Sequence, residues 1–136
     1  MGAEPARPVP VVDDLTREFW TGGERGELRI TACAECGRLF HPPGPICPSC
    51  HCRRITYVVV SGSGTVDSFT VVRRPWIDGY ETPYVVARVR LRDQPDVVLL
   101  SNIVGVDPEE VRMGMDVEAV FETRAQVQVP VFRPTR

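Results

Sequence analysis

The second half of the chain alternates between apolar and polar positions in short segments bounded by turn residues. The clearest segment is YVVARVRLR (84–92), in which Val85, Ala87, Val89 and Leu91 share one face and arginines share the other. This period of two predicts a β-strand with one buried face. Further strands are predicted at 55–61, 65–74, 97–103, 116–124 and 125–132. Short strands at such regular spacing favour a β-sandwich or a β-barrel.

The segment VVLLSNI (97–103) is almost continuously apolar, unlike the neighbouring strands. A strand without a polar face is typical of positions that are covered on both sides of a sheet. We therefore expect this strand to be buried on both faces.

One short helix is predicted between the later strands. Asp107 is suited to cap its start, Pro108 to occupy its first position and Glu110 its third, and Gly114 ends it. About five strands with such a connecting helix match the OB-fold, a five-stranded Greek-key barrel. A small β-sandwich of different topology is the alternative.

The N-terminal part of the chain begins without a strand pattern. Residues 1–12 contain three prolines and predict an extended arm, after which Asp13 or Asp14 can cap a short helix that ends at the following glycine pair. This helix carries Phe19 and Trp20. A helix so short is marginal by itself and must dock on another surface. That surface is either the chain's own domain or a partner protein, for which a Phe-Trp pair is a suitable anchor.

Composition and charge narrow the classes of function. The chain has 136 residues, of which 43% are hydrophobic and 25% charged, with a net charge of −2, as expected of a globular protein. All 16 basic residues are arginine, so the chain offers no lysine amine for a Schiff base. The near-neutral charge disfavours a general nucleic-acid binder. We expect no membrane span, because no apolar run reaches about 18 residues.

Two Cys-x-x-Cys pairs, Cys33/Cys36 and Cys47/Cys50, give the most specific signal in the sequence. Each pair is typical of a zinc knuckle, a tight turn that directs two thiolates at one point. Four thiolates satisfy the tetrahedral preference of Zn²⁺ and leave no coordination position for a substrate. The ten intervening residues suit one hairpin, so the segment predicts a rubredoxin-like zinc ribbon with a structural metal.

Other roles for these cysteines are less well supported. Disulfides are one alternative, but no apolar signal segment precedes the cysteines. We therefore expect a cytoplasmic protein whose thiols stay reduced. Thioredoxin-like redox chemistry is another alternative, but it uses one Cys-x-x-Cys at a helix start and not two pairs on a hairpin. Gly37 follows the first pair, where a knuckle needs a residue that tolerates positive φ. Cys52 is interpreted as a spare thiol, and His41 and His51 as surface residues, because four cysteine ligands are already present.

The predicted organisation has three parts. Residues 1–26 form an arm and helix, residues 27–54 the zinc ribbon, and residues 55–136 the OB-fold domain. The expected fold class is therefore mainly β, with an N-terminal helix, a rubredoxin-like zinc ribbon and a five-stranded OB-fold barrel.

Two stretches of the sequence resemble the DUF35 family of acyl-CoA-associated proteins. They are EFWTGGERGELRITACAECGRLFHPPGPICPSC (18–50) and SGSGTVDSFTVVRRP (61–75), and the resemblance extends from about Leu15 to Phe132. Members of that family combine the zinc ribbon with the OB-fold. They are commonly partners of thiolase-fold enzymes, including lipid-transfer-protein-like aldolases that act on CoA thioesters of steroid side chains. Some members are fused to a hydratase-like hot-dog domain.

The resemblance implies an accessory subunit in a hetero-oligomer. The partner would be a thiolase-fold or lipid-transfer-protein-like enzyme, and a hydratase-like hot-dog protein is a further candidate partner. The implied reaction is retro-aldol cleavage of a β-hydroxyacyl-CoA, with this chain supporting the partner's active site and binding of the CoA thioester. The implied cofactor is Zn²⁺ on the four paired cysteines, and the family offers no catalytic residue to transfer to this chain.

The segment 73–84, RRPWIDGYETPY, is the best candidate contact surface for a partner or for CoA. It combines Arg73, Arg74, Trp76, Tyr80 and Tyr84, and arginines with aromatic side chains are typical of interface hot spots. The same side chains could hold an adenine ring and phosphates. An ordinary surface loop is the alternative interpretation. The arginines that alternate through 88–92 are interpreted as a solvated strand face.

Two other functions stay open on the sequence. The partner could be a thiolase or condensing enzyme acting on acetyl-CoA units. Alternatively, the chain could bind single-stranded nucleic acid, which OB-folds and zinc ribbons both do, although it lacks a basic groove. No Ser/His/Asp set is recognisable, and the carboxylates of Glu109 and Glu110 fit helix capping better than acid–base catalysis. We therefore expect no catalytic residue in this chain.

Overall fold

A computed structural model describes residues 7–76 and 78–135. The N-terminal elements are α1 (Arg17–Thr21), a first 3₁₀ turn (Gly22–Arg25), β1 (Leu28–Cys33), β2 (Leu39–Phe40) and β3 (Ile55–Val60). The C-terminal elements are β4 (Ser63–Val72), β5 (Tyr84–Leu91), β6 (Val98–Ile103), a second 3₁₀ turn (Pro108–Glu110), β7 (Asp116–Arg124) and β8 (Val127–Pro134). Among the described residues, no helix is long and apolar enough to cross a membrane.

Five strands close into a barrel in the order β4-β5-β6-β8-β7, and β7 returns to β4. The neighbours are antiparallel except β6 and β8, which run parallel and meet at Ile103 and Phe132. This is the order of an OB-fold, so the predicted fold class is confirmed. The barrel is filled by side chains such as Val66, Val89 and Phe132, each at most 1% exposed.

The alternation in β5 was predicted correctly. Val85, Ala87, Val89 and Leu91 are all buried inside the barrel, and the arginines between them lie on the outer face. The prediction for β6 was wrong, because Leu100 is 73% exposed on that same outer face. The apolar run therefore forms two faces of the strand, one buried in the barrel and one that is apolar but open to solvent.

The strand at 55–61 was expected to belong to the OB-fold domain, but β3 pairs with β1 in a separate three-stranded sheet of order β2-β1-β3. Its register runs from Leu28 opposite Val60 to Cys33 opposite Ile55. The reason is that the cysteine-containing segment between β1 and β3 closes a long hairpin, which makes these two strands antiparallel neighbours. We propose that the ribbon continues to Val60 and that the barrel begins after the turn at Gly62.

The first residues of the N-terminal arm lie outside the described part of the chain, and residues 7–12 form neither helix nor strand. Asp13 accepts a hydrogen bond from the backbone N–H of Thr16 (2.9 Å) just before α1. As predicted, α1 ends at the glycine pair, because Thr21 is its last residue and Gly22 is its C-cap. The chain continues through the first 3₁₀ turn and reverses at Gly26, which has a φ of 69°.

A glycine is required at position 23 by packing and not by backbone conformation. A Cβ atom there would lie 2.5 Å from Gln128 Cβ and 2.5 Å from Phe121 Cδ1. The first 3₁₀ turn therefore sits directly against the β7–β8 hairpin. This close approach fixes the short helix on the barrel.

The second 3₁₀ turn begins as predicted, since the Asp107 carboxylate accepts a hydrogen bond from the backbone N–H of Glu109 (2.9 Å). It spans only Pro108–Glu110 and does not continue to Gly114.

The ribbon and the barrel are joined by polar contacts around the β5–β6 turn. The side-chain amide of Gln94 pairs with the backbone of Leu39, accepting from its N–H (3.0 Å) and donating to its carbonyl (2.7 Å). Arg38 forms an ion pair with Asp96 beside it. These contacts hold the edge strand β2 against the barrel and orient the loop that follows β2.

Candidate metal centre and interaction surface

The four cysteine sulfurs converge at the end of the β1–β3 sheet. All lie within 4.8 Å of one another, with 3.5 Å between the sulfurs of Cys33 and Cys50 and 3.7 Å between those of Cys36 and Cys47. A tetrahedral Zn²⁺ with bonds of about 2.3 Å separates its sulfurs by about 3.8 Å. The cluster therefore fits Zn²⁺, and four thiolates form the closed shell of a structural site.

The two knuckles repeat the same hydrogen bonds. In each, the sulfur of the first cysteine accepts two backbone N–H groups at N···S distances of 3.3 to 3.5 Å. The N–H of Cys36 is the main cause that lowers the pKa of the Cys33 thiol to about 7. The N–H of Cys50 likewise lowers the pKa of the Cys47 thiol. These donors favour thiolates, the form that binds metal.

A left-handed residue follows each knuckle. Gly37 has a φ of 76°, as predicted, and His51 has a φ of 64° at the equivalent place in the second knuckle. Each donates its backbone N–H to the carbonyl of the first cysteine, at 2.9 Å for Gly37 and 3.0 Å for His51. His51 therefore has a backbone role that mirrors that of Gly37. The Cys52 sulfur stays outside the cluster and accepts the N–H of Arg54 (3.2 Å).

His41 was interpreted as a surface residue, and the structure places it half-buried beside the helix. Its ring centroid lies 4.9 Å from that of Phe19, and its Nδ1 is buried without a hydrogen-bond partner among the described residues. Burial lowers the pKa of His41 to about 4. His41 is therefore a neutral ring at physiological pH that packs beneath the helix, and it is not part of the cysteine cluster.

A cavity of about 410 Å³ lies where α1, the loop after β2, the loop between β4 and β5, and the barrel meet. We term it the aromatic groove and define it by Trp20, His41, Pro43, Tyr80, Leu100 and Pro130. Most of this lining is apolar.

A second cavity of about 240 Å³ adjoins the aromatic groove and shares Tyr80 and Leu100 with it. Trp76, Tyr84 and Val86 complete its walls. Trp76 is 74% exposed and Leu100 is 73% exposed. The two cavities therefore form one continuous apolar surface along the outside of β5 and β6.

The loop between β4 and β5 is organised by its aromatic side chains. The rings of Tyr80 and Tyr84 stack with centroids 5.0 Å apart, and the indole N–H of Trp76 donates to the Tyr84 hydroxyl (3.2 Å). Arg73 is turned toward Glu109, with which it forms an ion pair of 2.5 Å. Arg74 is exposed and forms no ion pair within the described part of the chain.

The N-terminal arm also contacts the Tyr80 ring. The Arg7 guanidinium lies 4.7 Å from the Tyr80 ring centroid and donates to the Glu122 carboxylate (2.6 Å). Arg124 donates to the same carboxylate (2.9 Å). Burial raises the pKa of Glu122, but the two guanidinium groups outweigh it and hold that pKa below its ordinary value. Tyr80 therefore lies against the Arg7 guanidinium, which an ion pair fixes to Glu122 of β7.

The arginine face of β5 is partly neutralised, because its three arginines pair with two carboxylates. Arg90 lies 2.9 Å and Arg88 3.6 Å from the carboxylate of Asp67. Arg92 lies 3.4 Å from Asp116. The hydrogen bond from Arg90 is the main cause that lowers the pKa of Asp67. This agrees with the interpretation of the stripe as a solvated strand face.

The structure brings together some of the contact residues proposed from sequence. Trp20 and Tyr80 meet in the aromatic groove, and Trp76 and Tyr84 line the adjoining cavity. Phe19 does not present its ring to a partner, because it is only 7% exposed and packs in the core. The helix thus docks on its own domain, the first of the two alternatives. Arg73 and Arg74 line neither cavity.

The non-aromatic residues of this surface were not predicted from the sequence. Leu100, Pro43 and Pro130 line the groove, but they come from three different segments. One signal was available for Leu100: it alternates in phase with Val98 and Asn102, which places all three on the outer face of β6.

Comparison with known proteins identifies the family. A family model described as the ChsH2 rubredoxin-like zinc ribbon domain matches residues 20–55, and one described as the ChsH2 C-terminal OB-fold domain matches residues 57–122. A DUF35 domain-containing scaffold protein of Pyrococcus furiosus is 43% identical over 104 residues, which cover 75% of this chain and 74% of the relative. The chain belongs to the DUF35 family. Among solved structures, an Ltp2-ChsH2(DUF35) aldolase matches this DUF35 chain with a TM-score of 0.83 and 34% identity, covering 93% of this chain and 98% of that one.

Two further relatives are considerably longer than this DUF35 chain. A probable enoyl-CoA hydratase alpha subunit of Thermomonospora curvata is 36% identical over 94% of this chain. The 3-oxo-4,17-pregnadiene-20-carboxyl-CoA hydratase alpha subunit of Mycobacterium tuberculosis is 42% identical over 78% of it. The chain spans only 40% and 33% of their lengths, respectively.

Proposed function

We propose that this chain is the accessory subunit of a thiolase-fold acyl-CoA enzyme, and that the enzyme is an aldolase. The reaction is retro-aldol cleavage of a β-hydroxyacyl-CoA, including CoA thioesters of steroid side chains. The observation that carries the proposal is the likeness, over nearly the full length of both chains, to the DUF35 chain of an Ltp2-ChsH2(DUF35) aldolase. The printed name of the relative from Pyrococcus furiosus, a DUF35 domain-containing scaffold protein, also supports an accessory role.

In this proposal the chemistry belongs to the partner. The chain has no lysine for a Schiff base. The lowered pKa of His41, about 4, makes it a weak base at neutral pH. The four clustered cysteines suit a structural zinc without an open position. The contribution of the chain is to support the partner's active site and to help enclose the CoA thioester through the loop 73–84.

Binding of single-stranded nucleic acid is less well supported. Such proteins need a positively charged groove with free aromatic faces. Here the Tyr80 ring is already contacted by the Tyr84 ring and by the Arg7 guanidinium. The arginines of β5 are paired with carboxylates. These contacts leave Trp76 and Arg74 as the exposed aromatic ring and guanidinium of the loop 73–84, which is little for a base and a phosphate backbone to bind.

The proposal is tested by measuring assembly and cleavage on the same samples. The chain, an Ltp2-type thiolase-fold enzyme from the source organism and their mixture are compared by gel filtration and by product formation from a β-hydroxyacyl-CoA. Parallel reactions use a short-chain and a steroid side-chain substrate, with and without a hydratase-like hot-dog protein. We expect the chain alone to be inactive, the enzyme alone to be weak and the mixture to be active. Full cleavage by either protein alone contradicts the proposal.

Two variants test whether the loop 73–84 contacts CoA. Trp76→Ala and Arg74→Ala are expected to reduce cleavage by the complex without loss of zinc. A higher KM with intact assembly indicates contact with the ligand, whereas weaker assembly indicates contact with the partner. Unchanged kinetics in both variants would indicate that the segment is an ordinary surface loop.

A further inference from the structure

The outer face of β5 and β6 carries apolar side chains where a solvated strand would carry polar ones. Leu100 stands in the middle of β6 and is 73% exposed, with Val86 of β5 beside it in the same cavity. Trp76 and Tyr80 extend this surface at one end, and Trp20 extends it across the aromatic groove. We term these five residues the apolar face. A contiguous exposed patch of this kind marks an interaction site.

Two other exposed apolar residues lie apart from the apolar face. Val59, at 57% exposure, lies on the ribbon strand β3, and Met113, at 69%, lies in the loop before β7. Neither lines a cavity shared with the apolar face. Scattered apolar residues of this type are normal on protein surfaces and serve here as internal controls.

The apolar face is preformed, which favours tight binding because little ordering is required. Leu100 and Val86 lie on paired barrel strands. The loop after β2, which supplies His41 and Pro43, is held by the contacts of Gln94 with Leu39. The groove therefore lies between elements that are already fixed to one another.

Charges beside the apolar face carry a net positive balance. On one flank Arg88 and Arg90 share the single carboxylate of Asp67. On another flank Arg7 and Arg124 share the single carboxylate of Glu122. Each flank therefore has one guanidinium more than it has carboxylates. The complementary surface is apolar at its centre and acidic at its edge.

This charge pattern discriminates between possible occupants. A second copy of the chain docked face to face would bring like-charged flanks together, which is unfavourable. A nucleic acid would bind the arginines and could stack a base on the exposed Trp76, but it has no apolar side chain to place against Leu100. A protein surface with an apolar anchor and acidic rim satisfies both observations.

We propose that the apolar face is the docking surface for the thiolase-fold partner, which inserts an apolar side chain into the aromatic groove and places acidic groups opposite Arg88. This inference rests on the proposed function and adds the surface through which it operates. Leu100 is the central contact, because it separates the two cavities and is the most exposed aliphatic side chain of the barrel strands.

The test compares three exposed positions that receive the same substitution. Leu100→Glu is measured against Val59→Glu and Met113→Glu for binding to an Ltp2-type thiolase-fold enzyme from the source organism, and thermal melting confirms that all three fold. We expect Leu100→Glu to raise the Kd at least tenfold and each control to change it less than twofold. Arg88→Glu is expected to slow association and to weaken its dependence on salt concentration.

Several results would overturn this inference. If Leu100→Glu binds and stimulates cleavage like the wild type, the docking surface lies elsewhere while the proposed function stands. If the wild type neither assembles with the enzyme nor increases cleavage, both the surface and the function are wrong. A homodimer that Leu100→Glu dissociates, or single-stranded DNA retained by the wild type and released by that variant, would assign the face to a different occupant.

Discussion

Replacing Gly37 by alanine will weaken zinc binding, whereas replacing His51 by glycine will not. The two residues occupy equivalent places after the two knuckles, with φ values of 76° and 64°. A methyl group on Gly37 would meet no atom within 4 Å. The effect of Gly37→Ala is therefore a pure backbone effect, free of steric contact with the cysteines.

The magnitude follows from the left-handed conformation. That conformation costs a non-glycine residue about 1–2 kcal/mol, and loss of the glycine's freedom in the unfolded chain offsets about 0.4–1 kcal/mol of this. The net cost is about 1 kcal/mol. Because zinc binding and folding of a ribbon are coupled, this corresponds to an apparent zinc affinity about fivefold weaker. His51→Gly removes the same strain, so by the same arithmetic the apparent affinity will rise by up to about fivefold.

The assay is competition for zinc with a chromophoric chelator at pH 7, followed by metal analysis of each variant. His51→Ala is the matched control, because it removes the imidazole and keeps a side chain in the left-handed conformation. An affinity that falls in both His51 variants would show that the imidazole holds the metal. An unchanged affinity in Gly37→Ala would refute the backbone argument.

Three further outcomes are expected. Metal analysis will show that Cys47→Ser loses zinc and that Cys52→Ser keeps about one equivalent, and the ribbon will be destabilised in Cys47→Ser. Stoichiometric zinc in Cys47→Ser would contradict the ligand assignment. Gly23→Ala will lower the free energy of unfolding, measured in urea, by about 1–3 kcal/mol, because its new methyl group collides with the β7–β8 hairpin. Wild-type stability in this variant would show that the hairpin can move to make room for the methyl group. The native pKa of His41, about 4, lies below its ordinary value of 6.5, so only the unfolded chain is protonated between these values and stability falls as the pH decreases through that window. Relative to His41→Phe, the wild type will lose about 1–2 kcal/mol of unfolding free energy between pH 7.5 and pH 5, and parallel curves for the two proteins would refute this.

The zinc ribbon could be predicted almost completely because its geometry is local. Each knuckle is closed by hydrogen bonds between residues two to four positions apart, such as that from Gly37 to Cys33. The spacing of the cysteines thus determines where their sulfurs point. The strands of the barrel were likewise predictable, since burial of one face imposes a period of two on residues such as Val85 and Ala87.

The sequence did not determine which strands pair or which apolar residues stay exposed. The pattern of β3 is that of a barrel strand, and only its pairing with β1 assigns it to the ribbon. The run at 97–103 predicts burial on both faces, yet Leu100 is 73% exposed within the described part of the chain. Trp20 and Tyr80, far apart in the chain, become neighbours only in the folded molecule. Periodicity reports which side of a strand is apolar, and only the tertiary structure decides whether this chain covers that side or leaves it for a partner.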